Sequence, residues 1–178
     1  MTYPVFASGD VLNASDMNAV GLWLVKSQTV GTGVTSVTVT GAFSADYDNY
    51  RIVYSGGSAS TDTNLSLKLG ASTTAYYGLL QYGTYAGSVY QAVSNNNGAG
   101  WDFVGYGAAN YTGASFDLLS PFLTRWTQIL NAGWTPSTAS GTFQGIHQAA
   151  TSYTSFILGA SVGNLTGGTI SVYGYRKA

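Results

Sequence analysis

From Trp23 onward, apolar and polar residues alternate with a period of two, the spacing of half-buried β-strands. The clearest stretch is Asn64-Leu65-Ser66-Leu67-Lys68-Leu69, where the three leucines share one face and the polar residues share the other. Trp23–Val30 passes through Gly31 and Gly33 into Val34–Thr40, which reads as a hairpin-like pair of strands. Further strands are expected at Tyr50–Ser55, Tyr76–Tyr82, Trp101–Tyr106, Ser115–Phe122, Trp126–Leu130, Thr142–Gln148, Thr154–Leu158 and Thr169–Tyr175. Turn signals every 8 to 12 residues predict an all-β fold, a single jelly-roll-like antiparallel β-sandwich. Its core should hold Ile52, Tyr54, Leu65, Leu67, Leu69, Ile170 and Val172. Gly83–Gly100, with Asn95-Asn96-Asn97-Gly98, lacks alternation and reads as a long loop or an exposed hairpin.

The opening of the chain has a different pattern. Asn13 and Ser15 suit N-cap positions ahead of Asp16-Met17-Asn18-Ala19-Val20, and Asp16 complements the positive end of a helix, so a short N-terminal helix is expected. A helix of about two turns does not stand alone. Its apolar residues must therefore pack on the body or on a neighbouring chain. This divides the sequence into a docking segment, 1–22, and a β domain, 23–178.

Composition changes the picture in one respect. Charged residues are only 7% of the 178, against about 25% in an ordinary domain. The cations are Lys26, Arg51, Lys68, Arg125, Arg176 and Lys177, too dispersed to neutralise a run of phosphates, so no nucleic-acid partner is expected. Ser, Thr, Asn, Gln and Gly must supply the polar surface, and such a surface suits contact with other subunits. Together with the 14% of aromatic residues and the unsupported helix, it favours an oligomer. Cysteine is absent, which excludes disulfides. The apolar runs are shorter than a membrane span and the first residues lack a secretory pattern, so the expectation is a protein assembled where it is translated, with no membrane partner.

Candidate chemistry is sparse. His147 is the sole histidine and lies in a strand-like segment, where a structural role outweighs a basic one. Gly159-Ala-Ser-Val-Gly163 leads into a turn and a strand rather than a helix, so it is not a nucleophile elbow. Asp46 and Asp48 read as a turn before a strand, with calcium binding by them and Asn49 as a weaker alternative lacking the EF-hand spacing. Asp102 and Asp117 remain only an arithmetical possibility for a glycosidase pair. No catalytic, cofactor or metal site is expected, and no cofactor is required. The tyrosines of the 83–100 region point instead to recognition: Tyr82, Tyr85, Tyr90 and, at its border, Trp101 are the candidate receptor or partner contacts.

Two segments resemble virion proteins of tailed bacteriophages. Phe6-Ala-Ser-Gly-Asp-Val-Leu-Asn-Ala-Ser-Asp-Met-Asn18 is similar to an opening seen in tail-fibre and other particle-surface proteins. Leu165-Thr-Gly-Gly-Thr-Ile-Ser-Val-Tyr-Gly-Tyr-Arg176 resembles the closing strand of phage β-sandwich modules. The resemblance implies a homotrimer on the virion surface, assembled in the host cytoplasm, docked on capsid or tail protein by its N-terminus. The docking residues would be Phe6, Val11, Leu12, Met17 and Val20. Because the helix runs almost directly into the β domain with no shaft, capsid decoration is favoured over a short tail fibre or receptor-binding protein. A glycan-degrading enzyme and a lectin-like glycan-binding module are weaker alternatives.

Overall fold

The computed structural model describes residues 9, 21–87 and 90–176. The expected helix and the docking residues Phe6, Val11, Leu12, Met17 and Val20 lie outside the described residues. Those described form an antiparallel sheet of 13 strands with no helix among them. In chain order the strands are β1 (Leu22–Thr29), β2 (Ser36–Thr40), β3 (Tyr47–Ala59), β4 (Thr63–Leu69) and β5 (Tyr76–Thr84). They continue with β6 (Tyr90–Gly98), β7 (Trp101–Ala108), β8 (Tyr111–Leu119) and β9 (Thr127–Trp134). The last four are β10 (Ala139–His147), β11 (Ser155–Ala160), β12 (Leu165–Thr166) and β13 (Thr169–Arg176).

The period-two pattern becomes burial directly. Thr63, Leu65, Leu67 and Leu69 of β4 are buried, as are Tyr50, Ile52 and Tyr54 of β3, Phe116 and Leu118 of β8, and Ile170 and Val172 of β13. All the core residues expected from the sequence are inside. Each of the leucine, isoleucine, valine and phenylalanine side chains among them contributes about 1.5–3 kcal/mol on leaving water.

The sheet forks at β8. β3 runs along one side of it, continuing to β13 and β1. On the other side Tyr111–Ala114 pair with β7, whereas Asp117–Leu119 pair with β9. From β7 one arm continues through β4 and β11 to β2; from β9 the other continues through β10 and β5 to β6. The second arm is bent where Phe143↔Ala132 shifts to Gly145↔Ile129, with Asn131 at φ 55°. Asparagine tolerates that left-handed conformation better than most residues, which makes it a suitable bulge residue.

A second bend lies in β3. Its register with β8 shifts between Tyr54 and Gly57, after which Ala59 and Ser58 pair with β12. A β-carbon on Gly57 would sit 2.3 Å from the Tyr54 hydroxyl and 2.6 Å from the Gly167 carbonyl oxygen. Tyr54 donates to that same carbonyl at 3.0 Å, so the bend needs a residue without a side chain.

One expectation requires correction. β1 and β2 do not form a hairpin: β1 pairs with β13 and β2 with β11. The Gly31–Val34 link between them is tied down by the 165–168 turn, through Gly167 N–H to Gly31 O and reciprocal Val34–Leu165 bonds. It therefore delivers β1 to the β3–β13 side of β8 and β2 to the end of the β7 arm. In the 83–100 region the hairpin alternative is the one that forms, because β5 extends to Thr84 and Tyr90–Gly98 is the strand β6 beside it.

Candidate functional site

The tyrosines singled out by the sequence cluster around the β5–β6 hairpin, but they do not form one site. Tyr82 stands opposite Gln91, and Gly83 stands opposite Tyr90. Successive side chains alternate faces, so the Tyr82 and Tyr90 rings lie on opposite sides of the sheet. Tyr85 is in the turn, 65% exposed. Trp101 is a correction: it is fully buried and presents nothing to a partner. It packs edge-on against Tyr76 at 5.1 Å and donates Nε1–H to the Tyr77 carbonyl at 3.2 Å. The hairpin needs an apolar anchor at its base, and a tryptophan next to a glycine-rich stretch gives no sign in the sequence whether it serves as anchor or contact.

On the inner face Tyr82 donates to the Gln91 amide oxygen at 2.5 Å and meets Trp134 edge-on at 5.1 Å. Trp134 in turn touches Tyr106 at 5.9 Å and donates Nε1–H to Asn64 Oδ1 at 2.7 Å. Tyr106 stacks on Tyr111 at 6.3 Å. Burial, and then the neighbouring Asp62 carboxylate, raise the hydroxyl pKa of both Tyr106 and Tyr111. This ladder closes the gap between the two arms and was not legible in the sequence, because its rings come from β5, β7, β8 and β9.

The outer face holds the concave feature. A groove of about 560 Å³ crosses β6, β5 and β10. Register places Tyr90, Gly83 and Ser140 in one row across the strands, and Ala92, Gln81 and Thr142 in the next. The depression exists because Gly83 and Ala92 contribute little bulk between Tyr90 and the β10 side chains. Tyr90 is 89% exposed, and Gln81, Ser140 and Thr142 are exposed too. The lining contains no Asp, Glu, Lys, Arg or His.

β6 itself is an open edge. Among the described residues it pairs only with β5, and every residue from Tyr90 to Ser94 is exposed, including Val93 on the inner face. It has nine residues and contains neither charge nor proline, the usual devices that keep an edge strand from pairing with another chain.

The polar groups weighed for catalysis are engaged structurally. His147 is fully buried and stacked on Tyr76 at 4.1 Å. Its Nδ1 faces the Ala75 carbonyl at 3.2 Å, which can only accept, so Nδ1 carries the proton and Nε2 accepts from the Tyr153 hydroxyl at 2.8 Å. Burial lowers its pKa, with the Ala75 bond opposing. No carboxylate completes a triad with it and Ser72, whose Oγ lies 3.3 Å from Nε2. Asp117 is held by Arg51 at 3.2 Å and by the Tyr175 hydroxyl at 2.7 Å. Asp102 accepts from Asn95 Nδ2 at 2.9 Å, and its own N–H donates to Asn95 Oδ1 at 3.0 Å. Asp46 accepts from Ser44 at 2.9 Å, in keeping with a turn. Among the described residues no three His, Cys, Asp or Glu side chains converge as a metal site, and no helix is long and apolar enough to cross a membrane. No protein-family model, no curated protein and no solved structure matches the chain.

Proposed function

We propose that the chain is a non-enzymatic structural protein of a tailed-bacteriophage particle. In this reading it is a homotrimer docked on capsid or tail protein by residues 1–22, with capsid decoration ahead of a short fibre, and its two arms lie face to face as a jelly-roll-like sandwich. The phage assignment rests on the motif resemblance at residues 6–18 and 165–176. The structural observation that carries an assembly role is β6: an uncharged, nine-residue edge with exposed Tyr90, Ala92 and Val93 is a template for contact with another protein chain.

The test combines mass and location. Sedimentation equilibrium should give three times the 18.5 kDa chain mass, and antibody labelling should place the protein on assembled particles. A strictly monomeric species at micromolar concentration, or particles that do not label, would remove the reading. A second reading, adhesion to a host cell, is favoured by the outer groove beside Tyr90. It predicts saturable adsorption of the fluorescently labelled protein to bacterial cells.

A further inference from the structure

We propose that the outer groove of the β5–β6 hairpin binds an uncharged oligosaccharide. This deepens the adhesion reading and rests on it. The argument begins with what the groove lacks. A wall without a single charged side chain offers nothing to neutralise a phosphate, a sulfate, a uronic acid or an ammonium group, and burying such a charge without a partner is costly. What the groove offers is a tyrosine ring, the Gln81 amide and the hydroxyls of Ser140 and Thr142. A sugar ring matches that set: its C–H face packs on an aromatic face, while its hydroxyls exchange hydrogen bonds with amide and hydroxyl groups acting as both donor and acceptor.

Shape points the same way. The volume of about 560 Å³ falls within the usual range for small-ligand sites. The groove runs across the strands from Tyr90 on β6 to Ser140 on β10, two strand spacings or about 10 Å. An added peptide strand would lie along the edge of β6 and would not reach Thr142, two strands in. The occupant that uses the whole groove is therefore a short chain of linked rings lying across it. Its floor is built by sheet register, with Gly83 between Tyr90 and Ser140, so the site is largely formed before the ligand arrives and loses little entropy on binding.

The experiment is calorimetric titration of the purified full-length protein with cellohexaose, maltohexaose and a neutral yeast mannan. Polygalacturonate serves as the anionic comparison and a synthetic peptide copying residues 90–98 as the strand comparison. At least one neutral saccharide should bind at or below about 1 mM, independently of salt. Tyr90→Ala and Thr142→Trp should each weaken it at least about tenfold. Both positions are exposed, so unchanged melting temperatures will show that the fold is intact. Leu24→Ser, on the distant β1, should leave binding unchanged.

The proposal falls if no neutral saccharide binds at that concentration, if only polygalacturonate or only the peptide binds, or if Tyr90→Ala binds as wild type does. Adsorption to cells that the saccharides do not compete away would remove the ligand class and leave adhesion standing. Absence of both cell adsorption and saccharide binding would remove both.

Discussion

Lowering the pH through the range where an ordinary histidine charges should destabilise this protein through one residue. His147 is the sole histidine, fully buried, with Nδ1–H committed to the Ala75 carbonyl and Nε2 accepting from Tyr153. A proton on Nε2 would turn that acceptor into a donor facing a hydroxyl, inside a pocket of Tyr76, Trp101 and Tyr153 rings with no carboxylate among the groups that contact it. Tyr76, stacked on it, has its own pKa pushed up to about 12, chiefly by burial, and stays neutral throughout.

The sign follows from the lowered folded-state value. Above the unfolded-state value of 6.5 both states are neutral and the full stability is present. Below it the unfolded chain takes up a proton that the folded chain refuses, so stability falls as pH falls, at up to about 1.4 kcal/mol per pH unit. Between about pH 7.5 and about pH 5.5 the loss reaches at most roughly 1.4 kcal/mol, or about 3–5 °C in melting temperature for a domain of this size. Thermal melts followed by near-ultraviolet circular dichroism across it measure the slope. His147→Gln, less stable overall, should lose the slope while keeping a cooperative transition. A variant that retained the wild-type pH dependence would refute the reasoning.

Other outcomes follow from the packing. Trp101→Phe should cost about 2–4 kcal/mol through the lost ring volume and the lost bond to the Tyr77 carbonyl, yet leave saccharide binding and self-association unchanged; denaturant unfolding beside either binding assay checks it. Gly78→Ala should destabilise by about 1–3 kcal/mol or more, because its β-carbon would lie 2.3 Å from the Phe143 ring and 2.9 Å from the Gln144 carbonyl oxygen; a melt shows it. Tyr175→Phe should cost about 1 kcal/mol in urea unfolding by removing a donor from Asp117, with Arg51 still in place. If β6 is a subunit contact, Val93→Lys should reduce the mass in sedimentation while leaving the melt of the isolated chain within about 0.5 kcal/mol.

How much was legible in advance depended on how local each cause was. Leu65-Ser-Leu-Lys-Leu69 determines a half-buried strand wherever it is placed, since period-two alternation with one apolar face allows only one orientation towards a core. The same holds for Ile52 and Tyr54 on β3 and for Ile170 and Val172 on β13, so class, core and most strands could be read from residue order. β6 could not. Its Tyr-Gln-Ala-Val-Ser-Asn-Asn-Asn-Gly sequence has no buried face to impose alternation, and it becomes a strand only because the backbone of β5 has an unpaired edge to offer.

By itself, then, the sequence determined an all-β chain of low charge with a tyrosine-rich 83–100 region, left open between a loop and an exposed hairpin, and no strong candidate for catalysis. Only the tertiary structure decided which strands are neighbours, because pairing depends on partners far apart in the chain, as the separation of β1 from β2 shows. It also decided the division of labour among the aromatics. Trp101 became an anchor, Tyr82 joined a ladder between the arms, and Tyr90 was left to border a groove. That division is set by strand register, where a shift of one residue exchanges inside for outside, and no local pattern in a sequence so even in tyrosine, glycine and serine carries that information.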